Sequence, residues 1–168
     1  GGAGAAERAA AARQFEFRQL SGDLRNASLF LTDEARRYSV FGEKRHFDAY
    51  WREVNETKTR DRVVNRLKEL GATAEELGLI EQAKANSDAL IATEDSAMKA
   101  VAAKDLERAR TLMFGPDYDR EQAKIMRPID EFQRQIAERA EREAADARGL
   151  AETLALAANL LVALTGAA

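Results

Sequence analysis

Side chains able to do covalent chemistry are scarce in this chain of 168 residues, which has one histidine and no cysteine. His46 stands beside Lys44 and Arg45, with no thiol to partner it and no glycine-flanked serine elbow. No nucleophile, base and orienting group can therefore be assembled, and His46 reads as a solvated residue at a helix start. A di-iron centre inside a helical bundle needs paired Glu-x-x-His motifs, which a single histidine cannot supply. There is no Walker-type glycine loop, dinucleotide fingerprint or calcium loop. The chain is thus expected to carry no enzymatic activity of its own and no metal or other cofactor. Glu75 with Glu76, and Asp117 with Asp119, fall at expected helix starts, where negative charge is favoured by the helix dipole. With 26 basic and 29 acidic residues spread along the chain, no basic footprint for nucleic acid exists.

What stands out instead is polarity on otherwise apolar helical stripes. Glu34, Arg36, Arg37, Tyr38, Trp51 and Glu94 form the candidate ligand-binding set. A carboxylate buried without a partner is costly, so Glu34 and Glu94 must pair with Arg36, Arg37 or Arg60, rotate outward, or line a hydrated cavity. The aromatic members either floor a pocket or fill a core.

The elements that position these residues are helices. Proline is rare and alanine abundant, a usage that favours an all-α fold. Residues 1–6 carry no hydrophobic pattern and read as a linker or cloning remnant. From Glu7 a first helix follows, with the stripe Phe17, Leu20, Leu24, Ala27, Leu31, Ala35, Tyr38 and Phe41 in alternating three- and four-residue steps, and it ends at Gly42. A second helix runs unbroken through Phe47, Tyr50, Val54, Thr57, Asp61, Val64 and Leu67 to Gly71. Thr73 and Glu76 make a capping box for a third, striped by Leu77, Ile80, Ala83, Ser87, Leu90, Glu94, Ala97 and Val101. Asp105 caps a short connector helix through Met113, closed by Phe114-Gly115-Pro116. The fourth helix starts at Asp117, and Pro128 either kinks it or opens it as a first-turn residue.

This order predicts an elongated antiparallel up-down-up-down four-helix bundle about 45 Å long or more, with the connector between helices three and four. If Gly42 centres the first hairpin, Glu34 faces Trp51 and Ser28 faces Thr57. The second hairpin brings Glu94 toward Trp51 and Ser87 toward Lys58. Two polar layers result, and both chain ends emerge at one pole.

The segments Leu31 to Tyr38, Phe41-Gly42-Glu43, Tyr50 to Asp61, Lys68 to Gly71, Ser87 to Leu90, Glu94 to Met98, Ala109 to Gly115 and Pro128 to Phe132, in that order, resemble the four-helix-bundle sensor domain of methyl-accepting chemotaxis proteins and related two-pass bacterial receptors. The resemblance covers about residues 20–140, and each piece alone is a weak signal. Phe41-Gly42-Glu43 departs from the Thr-Gly-Asp turn more usual in such domains, which bears on capping. The resemblance implies a periplasmic, extracytoplasmic module of an inner-membrane protein, a homodimer flanked by transmembrane helices and feeding a histidine kinase or chemoreceptor output. It also implies a small-molecule ligand or a periplasmic binding protein as partner.

Beyond Thr153 the chain is apolar on every face, from Leu154 to Leu164, unlike a bundle helix. Residues 7–148 are therefore read as the sensor bundle, and 149–168 as an apolar extension toward a transmembrane segment. The competing reading is a soluble structural bundle that dimerises through the same apolar face and has no small-molecule ligand.

Overall fold

A computed structural model describes residues 2–166. It is all-helical, with no strand among the described residues: α1 (Gly2–Phe41), α2 (Lys44–Arg52), a π-helical turn (Glu53–Thr57), α3 (Thr59–Glu69), α4 (Ala74–Ala102), α5 (Leu106–Met113) and α6 (Pro116–Gly166). Specific side-chain pairs define how the long elements run. Along α1, Ser21 meets Gln133, Arg25 meets Asp130, and Thr32 meets Tyr118, so α1 and α6 are antiparallel. Arg60 with Asp88, Asp61 with Lys84, and Lys68 with Glu81 set α3 against α4 in the same opposed sense. Phe17, Leu24, Leu31, Leu67, Ile80, Met98, Ile129 and Phe132 fill the space between them.

The stop signals expected for α1 and α3 are where the backbone turns. Gly42 and Gly71 take φ of 66° and 75°, a region that a side chain disfavours. Thr73 accepts the Glu76 amide while the Glu76 side chain accepts the Thr73 amide, and Asp105 accepts the Arg108 amide at the head of α5. These bonds satisfy N-terminal amides that the helices leave without internal partners.

Gly2–Ala6 form the first turns of α1, and Gly1 lies outside the described residues. Two expectations are corrected. The second helix is not continuous. A π-helical turn follows Arg52, and Lys58 sits at φ 49° in the left-handed region, where the Glu53 carboxylate accepts the Thr59 amide. The inserted residue re-phases the stripe, so Glu53 and Arg60 are buried while Thr57 and Asp61 face solvent. The fourth helix opens at Pro116 instead of Asp117, and it continues as one helix past Pro128, which is buried inside it and opens no new helix.

Both α1 and α6 outrun the packed core. Residues 5–12 of α1 and 148–166 of α6 are exposed. The Arg139 guanidinium lies 5.4 Å from the centre of the Phe17 ring, so the start of α1 and the distal part of α6 leave from the same pole. An 18-residue stretch of α6 has a mean hydropathy of 1.5 and none of it is buried, making this helix long and apolar enough by composition to cross a bilayer.

Candidate functional site

The first polar layer centres on Glu94, 2% exposed, which α4 places inward because it continues the three- and four-residue stripe Leu90, Glu94, Ala97. Its Oε1 accepts the Tyr50 hydroxyl of α2 at 2.9 Å, and its Oε2 accepts the Tyr118 hydroxyl of α6 at 2.7 Å. Tyr118 Oη lies 2.6 Å from Thr32 Oγ1 of α1, and Thr32 in turn accepts the Gln122 side-chain amide at 3.1 Å. One carboxylate thus ties together α1, α2, α4 and α6. No cation touches it among the described residues. Burial, which penalises its charge, pushes the Glu94 carboxyl up to about 7, against the opposing effect of the two tyrosine hydroxyls and the fields of Arg60 and Arg36. Both phenols are pushed far up by burial and by the adjacent carboxylate.

Two α-helical turns away along α4, Ser87 receives hydrogen bonds from Ser28 at 3.2 Å and Arg60 at 3.1 Å. Arg60 also donates to Asp88 at 2.6 Å, and Lys84 donates to the other Asp88 oxygen at 2.8 Å. Burial opposes the charge of Asp88, yet these two cations outweigh it and hold its carboxyl below the usual range. This layer is a closed ion-paired clasp between α1, α3 and α4.

A third group sits at the Gly42 hairpin. Glu34 is 7% exposed; its Oε2 accepts His46 Nδ1–H at 2.7 Å and its Oε1 accepts Arg37 at 3.3 Å. His46 is therefore not solvated. It is buried, and its Nε2 has no partner among the described residues. α2 is amphipathic, and its inward positions His46 and Tyr50 are each held by a carboxylate.

The six expected ligand-binding residues do not converge on one cavity. Glu34 faces His46 instead of Trp51, and Glu94 faces Tyr50 and Tyr118 instead of Trp51. Ser28 meets Ser87 in place of Thr57, and Ser87 meets Arg60 in place of Lys58. Arg36 is anchored away from both carboxylates: it donates to the Met113 carbonyl at 2.9 Å and to Asp119 at 3.2 Å, with its guanidinium over the Phe114 and Tyr118 rings. Arg37 is largely solvent-facing beside Glu34. Tyr38 stacks at a tilt on Phe47, and Trp51 packs edge-on against Tyr50 and Phe47. Neither carboxylate rotates outward, and the aromatic pair fills space.

Surface clefts of about 360 Å³ beside Asp105 and Arg108, and about 590 Å³ between Thr73 and Arg139, are lined by other residues. Thr32, Tyr118, Gln122 and Arg60 were not among the expected site residues. Tyr118 is an aromatic in the first turn of its helix, whereas the spacing of Thr32 and Arg60 off the apolar stripes gives no signal, and Arg60 turns inward only beyond the π-helical turn. No family model, curated protein or solved structure matches the chain.

Proposed function

We propose that this chain is the extracytoplasmic sensor module of a bacterial membrane receptor, an elongated antiparallel four-helix bundle. Its four members are α1, the α2–α3 pair, α4 and α6, with α5 as connector. The observation that carries this reading is the shared exit of α1 and α6 beyond the core, where the apolar part of α6 has no protein to cover it. An all-round apolar helix is stable in lipid and unfavourable in water. Two antiparallel rods leaving one pole can transmit a small axial or rotational displacement into a bilayer, because packed side chains favour discrete arrangements. A small molecule or a periplasmic binding protein would act by binding one arrangement better than another. The output would be a histidine kinase or a chemoreceptor tail, reached through a homodimer.

A second reading is favoured by one specific observation. Leu150, Leu154, Ala157, Leu161 and Leu164 recur at alternating four- and three-residue steps, the seam of a coiled coil, and these leucines are more than 60% exposed. A soluble dimer would bury this seam against a second copy. Flotation of the full chain with phospholipid vesicles separates the two. The receptor reading expects co-flotation that is lost when Leu154 and Leu161 are both replaced by Asp. The dimer reading expects no flotation and a concentration-dependent sedimentation coefficient, which would overturn the receptor reading.

A further inference from the structure

We propose that Glu94, Tyr118 and Thr32 form a proton-binding site between the helices, wired so that its hydroxyl chain reverses when the proton arrives. This inference is independent of the membrane reading and rests on the connectivity of one buried chain of oxygens.

With Glu94 ionised, every bond has a donor. Gln122 donates to Thr32, Thr32 donates to Tyr118, and Tyr118 donates to the carboxylate. When a proton adds to Glu94 Oε2, that oxygen becomes a donor, and the Tyr118 hydroxyl must turn to accept it. The Tyr118 hydrogen then points to Thr32 Oγ1, 2.6 Å away. The Thr32 hydrogen in turn needs an acceptor, and the Ser28 carbonyl lies 3.3 Å from its oxygen. The chain now runs from Glu94 through Tyr118 and Thr32 to a backbone carbonyl, and no buried hydroxyl is left unpaired in either state. Tyr50 donates to the other carboxyl oxygen throughout. The Ser28 carbonyl is the one a helical threonine reaches one turn back, so the protonated arrangement needs no further group.

Tyr50 from α2 and Tyr118 from α6 face Glu94 directly, and the fields of Arg36 from α1 and Arg60 from α3 reach it from beyond hydrogen-bond distance. Arg36 and Arg60 are committed to Asp119 and Asp88, so they bias the carboxyl without neutralising it. The two phenols stay protonated across the working range. Glu94 is thus the member of this layer that exchanges a proton, and the bound proton sits in a network that joins α1, α2, α4 and α6.

Carbon-13 titration of the glutamate side-chain carboxyls in the full chain tests this. One carboxyl is expected to titrate with a midpoint near neutrality and to vanish in Glu94→Gln. Tyr118→Phe removes a charge-assisted donor to the ionised form and a weaker, neutral acceptor from the protonated form, so the midpoint moves up, by about one pH unit. Thr32→Val strands the Tyr118 hydrogen in the protonated form and moves it down by about as much. These opposite displacements are the signature of reversal. Should Glu94→Gln fail to fold by circular dichroism, the other two variants decide. The proposal is overturned if every glutamate titrates in the ordinary range, if the near-neutral step survives Glu94→Gln, or if Tyr118→Phe and Thr32→Val do not move the midpoint oppositely.

Discussion

At the scale of single residues, Glu94 sets a testable pH dependence. Its folded value of about 7 lies above the ordinary 4.5, so between these limits the folded chain binds more protons than the unfolded chain. Its contribution to stability is full below the ordinary value and is lost as pH rises through the folded one. The difference is on the order of 3 kcal/mol. Denaturant melts should therefore find Glu94→Gln more stable than the parent at about pH 8, by roughly 1–3 kcal/mol, with a flatter profile from about pH 5 to 7. A variant less stable at both ends would mean that the ionised carboxylate is worth more to the fold than its burial takes away. Arg36 is predicted to act through packing and backbone capture. Arg36→Ala should lower stability by about 1–3 kcal/mol, because it frees the Met113 carbonyl and uncovers Phe114 and Tyr118. Thermal unfolding with no change in Tm would contradict that role.

Among the elements, α2 and α3 are joined by backbone that no glycine or proline marks. Lys58 adopts φ 49°, which disfavours any residue with a Cβ, so Lys58→Gly should raise stability by up to about 1 kcal/mol. Destabilisation there would indicate that the lysine stem packs usefully over the π-helical turn. The head of α4 offers the opposite test. Thr73→Ala removes one bond of the capping box and should lower stability by about 1 kcal/mol. The stripes of α1 and α4 could be read directly from the chain, since Leu24, Leu31, Ile80 and Ala97 recur at helical spacing and all prove buried. The break after Arg52 could not. Nothing in Glu53 to Thr57 disfavours an ordinary α-helix, and on either side of the break Tyr50 and Arg60 both reach α4, at Glu94 and Asp88.

For the molecule as a whole, stability resides in the core between Phe17 and Ile136. Phe132, fully buried and tilted against Phe17, should cost about 3–5 kcal/mol when replaced by Ala. The exposed end of α6 should contribute almost nothing to that core. Replacing Leu154 and Leu161 together by Asp is expected to leave stability within about 0.5 kcal/mol in vesicle-free buffer. A larger loss, growing with protein concentration, would instead locate a second copy on that face.

The amino-acid pattern alone determined that the chain is helical, where its glycine stops and polar caps fall, and that Glu34 and Glu94 lie on inward stripes. Periodicity and capping are local properties, carried by residues within one or two turns of each other. Only the tertiary structure decided which partner each inward polar atom takes. Glu94 meets Tyr118 rather than Arg36, and Glu34 meets His46 rather than Trp51. Those pairings depend on rotation and axial register between helices, and the one residue absorbed in the π-helical turn turns the side chains after Arg52 to new directions.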